Sequence, residues 1–567
     1  MEAPRQEDYT ELRRKLLTRK QAMWTERSSW DPHWREIAQH QLPRAGRFFC
    51  SDVNKGGKRH NSIYDNTPIF AHRTLAAGMM SGITSPARPW FRLGVQDKDL
   101  MENGAVKQWL DDVATKMRSV FQASNTYNAL HHCYEELGAF GTWACFVSPD
   151  FDNVVHHYPM TVGEYALACN SKGYVDSMAR ELQMTVGQMV DQFGLENCSD
   201  SVQNLFKAGS INSWVPIVHM IDPRNDRDRT KKDAKNMAFR SIYFEPTNTN
   251  GTHGVLMESG FKRFPVLAPR WVVTGNDVYG RSPGMDVLGD VKQLQHEQLR
   301  KGQAIDYQVN PPLQVPTQYK DQANKRFPGG VMFVDSTTPG GGVRAAYEVN
   351  LRLDYLMADI QDVRDRVRQG YYADLFLMLA NDHRSGTTAT EIAQRQEEKL
   401  LMLGPVLERL DNELLSPLID ITFDRMVEAG ILPPPPKEIE EMEINIEFIS
   451  TLAQAQRAVA TAGTDRLLST VGSIAAMKPE VLDKIDFDQV VDDYADKYGV
   501  NPKIVVPDDV AAENRAQRAQ QMAQAQAAAA APQMVDSAKT ASEINPEGLK
   551  DVMGMFSGYQ TPTPGQV

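Results

Sequence analysis

Cysteine is scarce in this chain. Cys50, Cys133, Cys145, Cys169 and Cys198 are odd in number, scattered, and form no Cys-x-x-Cys pair. That excludes a cysteine zinc framework or a disulfide scaffold and fits free thiols in a reducing compartment. Long apolar runs are missing too: nothing approaches the ~18–20 uninterrupted residues of a membrane helix. The opening residues, MEAPRQEDYTELRRKLLTRK, are charged from the second position, so no secretory leader is expected. Positive charge is not in excess, since 61 Lys and Arg face 73 Asp and Glu, a net of −12. A protein gripping nucleic acid over its whole surface needs the opposite sign, although one that lets nucleic acid pass does not.

Catalytic signatures are equally thin. There is no GxxxxGK[ST]; NKGGKRH at Asn54–His60 lacks its spacing and hydroxyl, and PGGGVR at Pro339–Arg344 reads as a flexible turn. An ATPase motor is therefore not expected. GRSPG at Gly280–Gly284 matches a nucleophile elbow by letters, but Pro283 follows the serine and has no N–H to offer an oxyanion. Ser282 as a helix N-cap with Pro283 at the first helical position is the better reading. His132 and Glu136, one turn apart beside His131, are too few for a metal and predict a hydrogen-bonded helix face. His156 and His157 read the same way. Asp111–Asp112 and Asp492–Asp493 belong to charged helical faces, so no enzyme activity and no cofactor are expected.

What is present is an ordinary globular composition, 41% hydrophobic and 24% charged over 567 residues, long enough for two to four domains. Leu12, Leu16, Met23 and Trp24 predict an N-terminal helix. Asp31 with Pro32, and Thr67 with Pro68, predict two further helix starts with those residues as caps. Phe70, Thr74 and Ala77 share a face of the second. Between Gly141 and Trp271 short β-like runs (WACFV, WVPIVHMI, RSIYFE) alternate with helical patches such as TVGQMVDQFG. Beyond Ser282 helices dominate. A capping box at Thr388 and Glu391 begins a stretch bent by Pro405 and Pro417. PPPPK at Pro433–Lys437 is a stiff spacer before INIEFIS, a strand by the alternation of Ile444, Ile446 and Phe448. The fold class is mixed α+β and helix-rich. The Ala/Gln-rich run after Ala511 is expected to be frayed.

RTLAAGMMSGITSPARPWFRL, Arg73–Leu93, opens as a helix that Gly78, Gly82 and Pro86 are expected to break. Its small residues allow a neighbouring element to approach closely. Pro86 and Pro89 stiffen an exit that lets Trp90, Phe91 and Leu93 anchor in a core, with Arg88 and Arg92 at its edge. Two long helices, Met285–Val309 and Leu351–Gly370, flank a Pro/Gly-rich segment. The second carries Leu353, Leu356, Ile360, Val363 and Val367 at 3-4-3-4 spacing, a narrow apolar stripe. The first is thinner still, with Leu288, Val291, Leu294 and Ile305. Such stripes suit packing between identical subunits.

Several long strings, NSIYDNTP, the Arg73–Leu93 run, GNDVYGRSPGMDVLGDVKQLQ, NPPLQVP, TATEIAQRQEEKLLMLGPVLERLDNELLSPLI and STLAQAQRA, resemble the head-to-tail connecting (portal) proteins of short-tailed double-stranded DNA bacteriophages. The likeness runs from about Arg13 to about Val500. It implies a ring, usually of twelve subunits, at one head vertex of the virion, assembled in the host cytoplasm with scaffolding and major capsid protein. Double-stranded DNA passes through it, driven by a separate terminase, and tail adaptor proteins dock on it; no membrane is involved. The fold implied has an α/β wing (1–284), two stem helices (285–309 and 351–372) and a clip between them (310–350). A channel loop (373–388), a long kinked helix with a return strand (389–450), a helical crown (451–505) and a low-complexity tail (506–567) follow. His383 and Arg384 become candidate DNA contacts in the channel. Lys320, Lys325 and Arg326 become candidate contacts to the terminase large subunit or an adaptor, a solvated charged loop being the equal alternative. Leu353, Leu356, Ile360, Val363 and Val367 become candidate subunit packing. The alternative function is another ring-forming head–tail adaptor or tail structural protein.

Overall fold

The computed structural model describes residues 6–48, 56–57, 59, 62–97, 100, 103–231, 233–246, 255–316, 331–334, 344–345, 353–380, 403–439, 444–449, 467–475, 478–498, 505–506 and 510–525. The chain divides into two compact units, residues 1–96 with 109–468 and a smaller one of 97–108 with 469–567.

The larger unit is built on a five-stranded antiparallel sheet in the order β4-β5-β6-β7-β8 (Tyr165–Cys169, Val175–Thr185, Trp214–Pro223, Phe239–Phe244, Met257–Phe261). Alternation along its strands assigns two buried faces. Ala166, Ala179, Val218, Met220, Ile242 and Phe244 pack under Leu16 and Met23 of α1 (Gln6–Arg27). Leu167, Met178 and Ile221 face the other way. They meet Phe146 and Met160 of a second sheet and Trp34 and Ile37 of α2 (Asp31–His40). That second sheet has the order β3-β2-β9 (Val154–Met160, Ala144–Asp150, Val266–Leu267). Both faces are covered, which is why β6 reads as a nearly continuous apolar run. Beside the sheets lie α3 (Thr67–Ile83) and α5 (Thr126–Phe140), the latter preceded by α4 (Gly104–Ala123). The α3–α5 contact is so close that a Cβ on Gly138 would sit 2.9 Å from Leu75.

The strand expected in INIEFIS forms β13 (Ile444–Phe448) and pairs antiparallel with β1 (Phe91–Val95). Trp90 stacks on Phe448 and Phe121 at 6.5 and 5.9 Å between ring centroids. The polyproline spacer leads into it, held where the Trp109 indole donates to the Pro433 carbonyl at 3.1 Å and Lys116 donates to that of Ile431 at 2.9 Å. Helix α6 (Val186–Phe193), followed by α7 (Asp200–Lys207), starts with a capping box in which Thr185 and Gln188 each accept from the other's backbone N–H. The box expected at Thr388 and Glu391 lies outside the described residues.

Several expectations are corrected. Gly78 and Gly82 do not break the helix, which runs on to Ile83. Asp31 and Thr67 are first helical residues and not caps. Asp31 pairs instead with Arg27 at 3.2 Å, and Thr67 donates to the Asp65 carboxylate. The face with Phe70 and Ala77 points outward, while Ala71, Leu75, Ala76 and Met79 are buried. Around Pro417 the helix widens into a π turn, Asp411–Leu415, before α12 (Ser416–Glu428). A proline lacks the N–H an α turn would use there. In that turn Glu413 forms a buried bidentate pair with Arg270, at 2.6 and 3.1 Å.

In the smaller unit α13 (Phe487–Tyr498) is followed by a helix over 510–525. The Ala/Gln-rich run is therefore helical as far as residue 525, not frayed. Alanine's helix propensity favours it, and Arg515 clamps Asp488 with two 2.6 Å hydrogen bonds.

Candidate functional site: the paired helices and their mount

The two long helices form as α9 (Leu288–Val309), after a short turn α8 (Pro283–Asp286), and α10 (Leu353–Gly370). Ser282 caps α8: its hydroxyl accepts from Met285 N at 3.1 Å and donates to Ala139 O at 2.7 Å. That hydroxyl is buried and fully engaged, as an N-cap should be. Contacts along α9 and α10 run in opposite senses: Val287 meets Gly370, Asp290 pairs with Arg366 at 3.0 Å, and Leu294 packs on Ile360 and Val363. The helices are antiparallel. At their base a Cβ on Gly370 would lie 2.1 Å from Val287 Cγ1, so a larger residue there would have to displace that methyl.

Between the helices a three-stranded sheet, β11-β10-β12, joins Leu313–Pro316 to Val331–Val334 in parallel and to Arg344–Ala345 in antiparallel sense. Lys320, Lys325 and Arg326 lie outside the described residues, as do His383 and Arg384 after α11 (Ala373–Ala380).

The stripe on α10 is in place, but its contacts lie within one chain. Ile360, Val363 and Val367 are buried, with Leu356 half-buried against Leu294. Leu353 begins the helix, and its side chain is outside the described residues. Buried inside the chain, Ile360, Val363 and Val367 leave no surface for a neighbour, which corrects their assignment to subunit packing. The apolar surface that stays open lies near the opposite end of the pair. Ile305 and Val309 are 39% and 79% exposed, Tyr355 and Met357 69% and 56%.

Polar contacts fix the pair to the frame. The Asp65 carboxylate receives Arg364 at 2.8 and 3.0 Å, Gln298 at 2.8 Å, and the N–H and hydroxyl of Thr67 at 2.8 and 2.6 Å. Burial pushes this carboxyl up, but Thr67 and Arg364 together outweigh it and hold it below the usual range. Gln295 accepts from the backbone N–H groups of Tyr64 and Asp65 and donates to the Asp65 carbonyl. One acid on the lead into α3 thus binds both long helices.

After α10 the chain turns sharply at Tyr372, whose φ of +54° is unusual for an aromatic residue. Tyr371 plugs into the core, its hydroxyl on the Gln41 side chain and its ring edge-on to His72 at 5.7 Å. His72 donates from Nε2 to Glu135 O at 2.7 Å, and burial lowers its pKa to about 4, so it is neutral at pH 7. On α11, Phe376 lies over Gly78, where a Cβ would come within 2.2 Å of the ring. The small residues of the Arg73–Leu93 run are the seat of this mount, and Trp90, Phe91 and Leu93 are buried as expected. Sequence reasoning missed Asp65, Arg364, Gln295, Gln298, Tyr371 and Phe376. Gln295, polar and one residue after the apolar stripe position Leu294, was the only local signal.

The His132–Glu136 pair is structural. Glu136 contacts Thr161 Oγ1 at 2.7 Å and accepts from Val162 N at 3.3 Å. Burial pushes it up to about 8, and those two hydrogen bonds only partly oppose the rise. His132 accepts from the Trp143 indole at 3.1 Å and is pushed by burial to about 4. Their 4.0 Å approach is therefore between two neutral groups at pH 7 and not an ion pair. Among the described residues no three or more His, Cys, Asp or Glu side chains converge as a metal requires. No described helix is long and apolar enough to cross a membrane.

Residues 13–505 match a family described as bacteriophage head to tail connecting protein. The chain is 54% identical over 550 residues to a probable portal protein of Bordetella phage BPP-1, covering 96% of this chain and 99% of the relative. It is 44% identical over 530 residues to the portal protein of Salmonella phage epsilon15, covering 93% and 95% respectively. Among solved structures, the neck of an empty gene transfer agent particle aligns at 9% identity and a TM-score of 0.35, over 76% of this chain and 92% of that one.

Proposed function

The chain belongs to the bacteriophage head-to-tail connecting proteins, and on that premise we propose that it forms a ring of twelve copies at one head vertex of the virion. Double-stranded DNA enters through the ring's channel, driven by a separate terminase, and leaves by it at infection. The observation that carries this reading is the near-full-length identity to two phage portal proteins. The helix pair supports it, being a long antiparallel rod fixed at one end and bearing uncovered apolar side chains toward the other. We assign α9 and α10 to the stem, residues 310–350 to the clip and residues 373–388 to the channel loop. The α/β part before residue 285 becomes the wing, and residues 451–505 the crown.

Ile305, Val309, Tyr355 and Met357 are the surface available to adjacent copies, since the inner stripe is already occupied. His383 and Arg384 are weak DNA contacts on an otherwise acidic wall. A wall that neutralised many phosphates would hold DNA instead of passing it. Neutralising both is expected to alter packaging, DNA retention or ejection, and unchanged values of all three would remove the assignment. Lys320, Lys325 and Arg326 are the contact to terminase or tail adaptors; charge reversal that leaves both interactions intact would remove that one. Scaffolding and major capsid protein are the further partners during assembly in the host cytoplasm. Negative-stain images of the purified full chain test the reading as a whole. A wide-brimmed ring with a central hole is expected, and a uniform monomer under assembly conditions would overturn it.

A further inference from the structure

The connection between β6 and β7, residues 224–238, is far longer than the ~2–5 residues that close a hairpin. Its sequence, RNDRDRTKKDAKNMA, holds six basic and three acidic residues in a chain of net charge −12. The three acids are exposed, and each acts on a group of the loop or of the strand that follows it. Asp228 accepts from the N–H and hydroxyl of Thr230 at 3.0 and 2.7 Å, and Asp233 from the Asn236 side chain at 2.6 Å. Asp226 acts electrostatically on Arg240. Asn236 also ties the loop across itself, accepting from Asp228 N at 3.0 Å. The loop is seated on the sheet edge, where a Cβ on Gly260 would come within 2.2 Å of Ala234 O.

Two of the cations are used as well: Arg224 pairs with Glu258 at 2.7 Å and Lys231 with Asp228 at 3.7 Å. Arg227, Arg229 and Lys235 make no ion pair among the described residues; Arg229 and Lys235 are exposed and Arg227 is half-buried. The aspartates hold the shape and the cations are presented. Such a loop is pre-organised before it meets anything, which lowers the entropy cost of a contact.

We propose that this loop is an electrostatic contact to an acidic surface on a second copy of the chain, an inference that rests on the ring reading above. A phosphate backbone offers one sign of charge only, and the interleaved aspartates oppose it. A second copy, a chain of net charge −12, offers carboxylates interspersed with other groups, and such complementarity acts on encounter and register. The contact lies on the sheet edge, a different surface from the apolar residues of the helix pair.

The test compares the full-length wild type with Arg227→Glu/Arg229→Glu/Lys235→Glu and with the milder Arg227→Gln/Arg229→Gln/Lys235→Gln. Assembly is followed by mass photometry against protein concentration at low and high NaCl, with thermal melting as the folding control. The reversed variant is expected to need about tenfold more protein to assemble at ~0.1 M salt, the neutral one a few-fold more. Both differences should vanish at ~1 M, where screening removes the contact. Variants that melt and assemble like the wild type at low salt overturn the inference while leaving the ring intact. A wild type that never assembles overturns the ring reading and this contact together. A labelled DNA duplex bound by the wild type and lost in the variants, with assembly unchanged, reassigns the loop to nucleic acid and likewise overturns it.

Discussion

The two ends of the antiparallel helix pair are made of the same helices and behave oppositely. At the base, Gly370 lies on Val287 and Gly78 under Phe376 with no room for a side chain, and Asp65 is held between Arg364 and Gln298. Toward the other end Val309, Tyr355 and Met357 stand largely in water. One chain completes its own base and leaves the distal surface unfinished. That division suits a part whose position must be fixed by its own frame and whose remaining apolar surface is covered only by assembly.

The comparison breaks if the base tolerates disruption. Ile360→Asp, which puts a carboxylate among Leu294 and Val363, should cost about 3–4 kcal/mol and lower the melting temperature of the isolated chain. Gly78→Val should cost ~1–3 kcal/mol through overpacking against Phe376 and impair ring formation. Normal melting and normal rings from that variant would show that the close seat is not required.

Glu136 sharpens the contrast between a neutral buried acid in the frame and the ionised Asp65 at the mount. Its folded pKa is raised to about 8, so its stabilisation is complete below the unfolded value. It declines as pH rises from ~4.5 to ~8 and is flat beyond. Melting temperatures of the wild type should therefore fall across that window relative to Glu136→Gln, whose amide can reproduce the contacts to Thr161 and Val162. Parallel curves for the two proteins would count against a proton held at Glu136. The smallest effect on folding is expected at the open end. Tyr355→Ser with Met357→Ser should leave the melt within ~0.5 kcal/mol of wild type and still weaken assembly in mass photometry. A large loss of monomer stability there would mean the distal surface is covered within the chain after all.

The two halves of the problem were unequally legible in the sequence. Periodicity marked the stripe Ile360–Val363–Val367, because a helix's buried face repeats along its own length. It could not say what covers that face, and the partner is Leu294 of the same chain. Close approach was readable in Ala76, Ala77 and Gly78, whereas Phe376, almost three hundred residues on, carries no local mark. Glycines at 78 and 82 were read as helix breakers because propensity is local, while here packing of Leu75 and Met79 outweighs it. Asp65 carried no local mark, since its role exists only once Arg364 arrives from another helix. The strings shared with portal proteins were the strongest signal, and they named a family without giving contacts.

The pairing of β1 with β13 also bears on how the chain is made. Phe91 leaves the ribosome about 350 residues before its partner Phe448. At roughly 5–20 residues per second, that interval is on the order of 20–70 s. Throughout it Trp90 and Phe91 have no β13 to meet, and the aromatic cluster around them is incomplete. Closing this two-stranded sheet is therefore a late, high-contact-order event. Until then the unpaired edge of β1 is a place where chains emerging side by side from one message can pair with each other.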